Sequence, residues 1–478
     1  MLLNGSEELG KGGKQTGRLG QVGFTLRKYQ EGLIEDARCA IRGGARSPLL
    51  VLPTGGGKTA IAAEIMGSAA RKGRKSVFIV HRRELVIQTS RTFEKVGIEH
   101  GIIAAGFSPS PHAPVQIASI QTLARRQLPW DPDMMVFDEA HHIASETWDQ
   151  LFNRYNQAHR LGVTATPMRM DGRGLGDWFD TMIEGPSVRW LIENGFLSRY
   201  RIFAPSTPDM TGARSRAGDW TTSDVADRMD RPAITGDAII HYRKLADGKR
   251  AIVFATNIEH SKHIVAQFAA AGYPAAHLDG KTDRLVRDQT LARFAAGEIR
   301  ILSNVDLFGE GFDVPEIEAA ILLRPTQSTG LYLQQVGRAL RVSDGKQDAV
   351  ILDHAGNALR HGLPDEIREW NLDPQVKRKR AASDAPAIKQ CTECFAVHEP
   401  APECPECGHV YDVIQRKIEE REGELIELSE EMLKRERKKE QSSARSLADL
   451  IALATARRYK NPRRWAEYVY FNRARNYG

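Results

Sequence analysis

The chain has 478 residues, 41% hydrophobic and 27% charged, with a net charge of +6 from 67 basic and 61 acidic side chains. That balance excludes wholesale disorder, and with no unbroken apolar run of about 18 residues no membrane span is expected. Five cysteines over this length are not a disulfide scaffold and fit a reducing, cytoplasmic compartment. The mild basic excess is compatible with a nucleic-acid partner.

Residues 1–23 are dotted with Gly and Lys, lack the apolar stretch of a secretory signal, and read as a flexible leader. Short apolar runs then alternate with amphipathic stretches. Ser47–Leu52, Ser76–Val80, Met134–Phe137 and Leu161–Val163 read as buried strands, with helical patterns such as Ala60–Ala70 and Arg83–Val96 between them. A second series carries strands at Arg250–Phe254, Ala275–Leu278, Ile299–Ser303 and Ala349–Leu352. The alternation predicts two α/β domains, each with a parallel sheet covered by helices, over residues 24–200 and 201–370. The polar stretch Thr207–Arg231 is expected to be an extended loop or insertion. A linker (371–388), a cysteine cluster (389–412), a charge-laced helix (413–442) and a basic, aromatic module (443–478) complete the organisation.

Directly after the first strand stands Pro53-Thr54-Gly55-Gly56-Gly57-Lys58-Thr59, followed by a helix. Glycines let backbone N–H groups close on phosphate oxygens at a helix N-terminus. Lys58 would reach the β- and γ-phosphates and Thr59 would ligate Mg²⁺. The strict phosphate-loop pattern is not met, because Leu52 occupies its first glycine position. About 80 residues on, the strand Met134–Phe137 ends in Asp138-Glu139-Ala140-His141-His142. A carboxylate at such a strand tip can hold Mg²⁺ (Asp138) and its neighbour can orient an attacking water (Glu139).

Together with Thr164-Ala165-Thr166-Pro167 these segments resemble superfamily 2 helicases of the D-E-A-H type, in the family's order. Leu26-Arg27-Lys28-Tyr29-Gln30 resembles the family's adenine-recognition element, which implies base contacts by Arg27 and Gln30. Ser303–Asp313 resembles motif V, and Gln334–Arg341 resembles motif VI. The resemblance implies two tandem RecA-like domains with ATP hydrolysed between them. By it, Gly311 and Asp313 face the nucleotide, while Gln334, Arg338 and Arg341 complete the catalytic set at the γ-phosphate. It also maps nucleic-acid backbone contacts onto Arg82, Arg83, Gln121, Thr122, Thr256, Asn257 and Ser303. For Arg82 and Arg83 a solvated helix start, and for Thr256 and Asn257 a polar turn, are the plainer alternatives.

Cys391-x-x-Cys394 and Cys404-x-x-Cys407, nine residues apart, have the spacing of a four-thiolate zinc ribbon. Two disulfides are disfavoured by the reducing compartment, and a redox pair needs only one such motif. The stretch 413–442 reads as a helix packing one apolar stripe on its own protein, or as a partner coil. In the terminal module, arginines interleave with Tyr459, Trp465, Tyr468, Tyr470 and Phe471. Aromatic platforms for single strands and the core of a small basic helical domain are both compatible with it.

Residues Met168–Pro186, the ribbon behind the motor and the terminal stretch more closely resemble bacterial RadD-like DNA-repair helicases and their phage relatives. That implies ATP, Mg²⁺ and structural Zn²⁺ as cofactors, single-stranded or branched DNA as partner, and single-strand-binding protein as a further one. The motor of a restriction system, an RNA helicase, and a zinc-ribbon nucleic-acid binder without turnover stay open as alternatives.

Overall fold

Strands buried on both faces read as continuous apolar runs and pair in parallel. In the computed structural model such runs build two sheets. It describes residues 25–169, 172–205, 208–216, 218–305, 307, 317–373, 387–411, 438–444, 446–457, 459 and 461–475. The chain divides into two units, Met1–Tyr411 and Asp412–Gly478. The proposed leader, most of the 371–388 linker and most of the 413–442 helix lie outside the described residues. No described helix is long and apolar enough to cross a membrane.

The first sheet comprises β1 (Pro48–Val51), β2 (Ser76–Val80), β3 (His100–Ile103), β4 (Val115–Ser119), β5 (Met134–Asp138), β6 (His159–Thr164) and β7 (Thr181–Glu184). They run in the order β3-β4-β2-β5-β6-β1-β7, every neighbour parallel. Helices α1 (Lys28–Arg42), α2 (Lys58–Ala70), α3 (Arg83–Lys95), α4 (Ile120–Arg125) and α5 (Glu146–Arg154) accompany it. Ile61, Phe78, Phe93 and Ile117 fill one apolar cluster, and Phe137, Trp148, Phe152 and Phe179 another. Helix α6 (Val188–Glu193) follows β7 and packs Leu191 into the second domain.

The second sheet takes β8 (Arg199–Phe203) as one edge. The chain then forms the hairpin β9 (Ser215–Arg216) and β10 (Asp219–Trp220), followed by α7 (Thr222–Met229) and α8 (Pro232–Leu245). Next come β11 (Ala251–Phe254), α9 (Ile258–Ala270), β12 (Ala275–Leu278), α10 (Arg284–Ala295) and β13 (Ile301–Asn304). Then β14 (Ala319–Leu322), α11 (Thr329–Ala339), β15 (Asp348–Asp353) and α12 (Asn357–His361) complete the domain. The order is β12-β13-β11-β14-β15-β8, again parallel throughout.

Of the two expectations for the polar stretch Thr207–Arg231, the structure has the insertion: Asp219 fastens its hairpin by accepting from Gln327 N and Thr326 Oγ1, both at 2.7 Å. Two expectations need correction. The second sheet begins at Arg199 rather than 201. Residues 371–373 are not linker but part of the first domain. Trp370 and Leu372 pack against its Leu175–Phe179 cluster, and Gly174 N donates to Asp373 O at 3.0 Å, Gly176 N to Leu372 O at 2.6 Å. Just upstream, Arg368 donates to His361 O and Leu363 O of the second domain. The chain therefore crosses between the domains after β7, again near residue 369, and a third time before the cysteine ribbon, which packs on the second domain.

The cysteine ribbon adds the small antiparallel pair β16 (Lys389–Gln390) and β17 (Val397–His398). Ala396 bridges Phe203, and Ala204 N donates to Phe395 O at 2.9 Å, so the ribbon covers the open edge of β8. In the other unit, Leu447–Ala456 starts in a Ser446/Asp449 capping box, and Pro462–Arg475 packs against it.

The return crossing depends on a glycine. A Cβ at Gly174 would stand 2.6 Å from Leu372 C and 2.7 Å from Asp373 O. Gly174→Ala should cost about 1–3 kcal/mol, read as a lowered Tm together with new proteolytic cleavage near residue 372.

Candidate functional site

Between β1 and α2 the chain turns through Gly55 (φ 86°) and Gly57 (φ 93°), left-handed conformations that favour glycine. The departure at Leu52 has a packing reason. Leu52 is fully buried, and a Cβ at Gly56 would lie 2.6 Å from its Cγ, so Gly56 makes room for it. A Cβ at Gly57 would meet Gln30 Nε2 at 2.3 Å. Gln30 Nε2 donates to Gly56 O at 3.1 Å and Gln30 Oε1 accepts from Arg27 N at 2.9 Å. Tyr29 OH donates to the same Gly56 carbonyl at 2.7 Å. Sequence reasoning gave Tyr29 no role, although it stands inside the quoted Leu26–Gln30 motif. Its ring packs on Trp190 and Phe196, and the Arg27 guanidinium lies 4.6 Å from the Phe196 ring centre.

Lys58 Nζ donates to Leu52 O at 3.3 Å. Burial pushes its ammonium below the usual lysine range, the carboxylates of Glu139 and Asp138 pull it back up, and Arg338 and Arg341 push it down further. The two acids are 6% and 5% exposed at the end of β5. Glu139 is left-handed (φ 47°, ψ 55°), a strained conformation for a residue with a Cβ. Among the described residues no hydrogen bond reaches its Oε2; its ion-pair neighbour is His141 Nδ1 at 3.6 Å. The same imidazole nitrogen lies 3.2 Å from Thr164 Oγ1, which in turn donates to Thr166 O at 3.1 Å. A side-chain chain thus runs from the acids to the Thr164–Thr166 turn.

The second domain presents α11 to this surface. A Cβ at Gly330 would stand 3.0 Å from Thr166 Oγ1, and one at Gly337 would stand 2.8 Å from Thr54 Cβ. Gln334, Gln335 and Arg338 are buried, and burial lowers Arg341 to about 10. Lys58, Asp138, Glu139, Arg338 and Arg341 therefore form one electrostatic cluster drawn from both domains, with Asp138, Glu139 and Arg338 buried and Lys58 and Arg341 half-buried. Thr59 lies in the first turn of α2. Buried carboxylate and hydroxyl oxygens with a lysine and two arginines suit a magnesium polyphosphate. Gly311 and Asp313 lie outside the described residues.

The residues expected at a nucleic-acid backbone divide. Arg82 precedes α3 and reaches across to Leu307 O of the second domain at 3.1 Å. Arg83 stacks its guanidinium 5.0 Å over Phe107. Gln121 donates to His81 O at 2.7 Å, and Thr122 N is capped by Ser119 Oγ at 3.3 Å. Asn257 caps α9 by accepting from His260 N at 2.8 Å. Thr256 and Ser303 are buried, and their hydroxyls pair with His260 Nδ1 at 2.9 Å and Ser261 Oγ at 2.7 Å. In this conformation these two face inward and do not present a polar surface to a strand.

All four ribbon cysteines come together, their Sγ atoms within 4.8 Å of one another. Cys391–Cys407 and Cys394–Cys404 are 3.7 and 3.6 Å apart. Thiolates bound at about 2.3 Å in tetrahedral geometry stand about 3.8 Å apart, whereas a disulfide needs about 2.05 Å. The two knuckles repeat one geometry. Phe395 N and Gly408 N donate to Cys391 O and Cys404 O, while Cys391 N and Cys404 N donate to Ala396 O and His409 O. The residue after each second cysteine is left-handed, Gly408 at φ 71° and Phe395 at φ 63°.

Comparison with known proteins agrees with this geometry. Residues 23–169 match the family described as type III restriction enzyme, res subunit, and residues 235–343 match the helicase conserved C-terminal domain. A 51.5 kDa protein of a Lactococcus phage (isolate 7-9) is 35% identical over 388 residues, which is 80% of this chain and 83% of that protein. The DNA 3'-5' translocase XPB2 of Sulfurisphaera tokodaii is 24% identical over 349 residues, 64% of this chain and 76% of that protein. A fragment assigned as the HsdR subunit of a type I restriction enzyme from Vibrio vulnificus YJ016 shares the fold, with a TM-score of 0.57 at 23% identity. It covers 71% of this chain and 66% of that one. Two RecA-like domains with a charged cluster between them define a nucleic-acid-dependent ATPase. The chain belongs to the superfamily 2 helicases.

The closeness of Gly337 to Thr54 makes a test of the interface. Gly337→Ala should hold the domains apart and lower kcat on the order of 10²-fold while nucleotide binding persists; kcat beside a nucleotide-binding titration checks it.

Proposed function

We propose that the chain is an ATP-dependent DNA helicase or translocase that hydrolyses ATP at the interface of its two RecA-like domains, in DNA repair or recombination. The observation that carries this reading is the electrostatic cluster shared by both domains, because hydrolysis there couples chemistry to domain closure. Thr54, Gly55, Gly56, Gly57 and Lys58 cradle the phosphates, and Arg27 and Gln30 hold the base. Thr59 and Asp138 would hold Mg²⁺, which neutralises charge on the transferring phosphoryl group. Glu139 orients the attacking water, and Gln334, Arg338 and Arg341 stabilise the charge that develops at the γ-phosphate. Gly311 and Asp313 complete the nucleotide contacts by the family's pattern.

Arg82, Arg83, Gln121, Thr122, Thr256, Asn257 and Ser303 serve the strand, which requires the Thr256 and Ser303 hydroxyls to leave His260 and Ser261 when DNA enters. DNA as the track is supported by the relative named a DNA translocase. The resemblance of residues 168–186 to RadD-like proteins supports a repair setting in the cytoplasm, with single-strand-binding protein as partner. Zn²⁺ held by Cys391, Cys394, Cys404 and Cys407 staples the ribbon, a segment too small to fold on a core of its own. The match to a restriction-enzyme subunit favours a second reading, the motor of a restriction system.

The test is ATP turnover without nucleic acid and with single-stranded DNA, duplex DNA and RNA. Stimulation by DNA is expected; stimulation by RNA alone would overturn the DNA reading. Lys58→Ala should abolish turnover, and Arg338→Ala should lower kcat roughly 10³-fold or more. Glu139→Gln should bind ATP yet stall hydrolysis, as a nucleotide-binding titration beside turnover would record. For the ribbon, Cys404→Ser should release zinc, and metal analysis showing an unchanged zinc-to-protein ratio would contradict the ligand set.

A further inference from the structure

The charge of the chain is distributed very unevenly. Residues 443–478 contain eight basic side chains (Arg445, Arg457, Arg458, Lys460, Arg463, Arg464, Arg473, Arg475) and two acidic ones (Asp449, Glu467), a net of 8 − 2 = +6. The whole chain also carries +6, so residues 1–442 are neutral in sum. The positive excess of a 478-residue protein is thus carried by its last 36 residues.

The described part of that segment forms a helical hairpin, Leu447–Ala456 and Pro462–Arg475. Leu450, Ala454 and Ala466 are buried between its helices, and Tyr459 meets the Trp465 ring edge-on at 5.1 Å between centres. Tyr468, one of the aromatics that could have filled that core, is instead 70% exposed, and Tyr470 is 39% exposed. Arg463 and Arg464 are exposed as well. At 100° per residue, Tyr470, Arg463, Glu467, Arg464 and Tyr468 follow one another round about 160° of the last helix. Trp465 and Ala466 fall on the remaining arc. One continuous solvent face therefore carries two arginines flanked by two tyrosine rings, and Glu467 accepts from Arg463 at 3.1 Å.

We propose that this face is a second nucleic-acid site, taking single-stranded DNA or RNA as a polyanion whose bases stack on Tyr468 and Tyr470. The proposal rests on the nucleic-acid reading of the motor. Exposed tyrosine beside arginine suits a flexible strand with accessible base faces, with affinity from stacking and from phosphate neutralisation. Duplex DNA, whose bases are already stacked, would draw on the arginines alone.

The experiment is fluorescence anisotropy of the full chain with an oligo-dT strand over a salt series. Variants are Arg463→Glu with Arg464→Glu, Tyr468→Ala and Tyr468→Phe, each matched to the parent in helicity and Tm. The double charge reversal should flatten the salt dependence by at least about 1.4 in slope, about 0.7 per lost phosphate contact on a single strand. Tyr468→Ala should weaken binding on the order of tenfold at an unchanged slope, and Tyr468→Phe should restore it. Parent-like affinity and slope in both the charge reversal and Tyr468→Ala, with DNA still stimulating ATP turnover, would overturn this site and leave the motor intact. Absent binding and absent stimulation in the parent chain would overturn both. Capture by phosphatidylserine vesicles in place of the oligonucleotide would assign the charge to a membrane surface and overturn the proposal.

Discussion

Three cations and two carboxylates share one largely buried space between the two sheets, and most of what the motor does depends on that imbalance. Lys58, Arg338 and Arg341 face Asp138 and Glu139 with little water to screen them. Buried charge is tolerated where it is paired, and the pairing here draws on both domains. Each domain alone would expose its share of the cluster to solvent. In the proposed reading a nucleotide triphosphate brings negative charge to a cation excess, so its binding and the meeting of the domains are one equilibrium. Hydrolysis and phosphate release reverse the bias.

The freedom left to that equilibrium is set by covalent connections. The chain crosses from the first domain to the second after β7, and returns so that Trp370 and Leu372 join the first domain's Leu175–Phe179 cluster. Thr54, Gly337, Ile367 and Trp370 line a cavity of about 170 Å³, which places the return strap beside the phosphate loop and α11. A domain pair joined at more than one point of the chain has less freedom to drift apart. The ribbon acts on the other side of the second domain. By bridging Phe203 through Ala396 it pairs the exposed edge of β8, so the cysteine knuckles become an extension of the motor sheet.

Much of this was legible in the amino-acid order, for physical reasons that also explain what was not. The buried central strands read as unbroken apolar runs, and β1, β2, β5 and β11 stand where the pattern puts them. The strands β3, β7 and β8 lie at or near sheet edges, where polar residues are tolerated and the signal fades. In β4 the buried Gln116, satisfied by Ser110 O and Ala113 O, interrupts the apolar run. Ala-rich β14 reads against strand propensity. At the nucleotide site the charged residues announced themselves through motif spacing, and the structure joins them. Tyr29, Gly56 and Gly337 matter through close approach, a property of three-dimensional packing that no local pattern encodes. Thr256 and Ser303 carry the opposite lesson, since motif position alone does not say whether a hydroxyl faces a ligand or its own domain.

The charge ledger joins these observations. A motor that steps along a polymer must release each contact it makes, so strong electrostatic attraction along its own groove would slow every step. The unit Met1–Tyr411 carries a net of only +2 over 411 residues, which is consistent with that demand. Attraction to the polyanion can then reside in a separate element of the chain. The terminal hairpin has that character: it packs on its own small core and keeps Arg463, Arg464 and two tyrosines on the outside. With attraction and stepping assigned to different parts of the chain, raised salt should act on recruitment before it acts on the chemistry between the sheets.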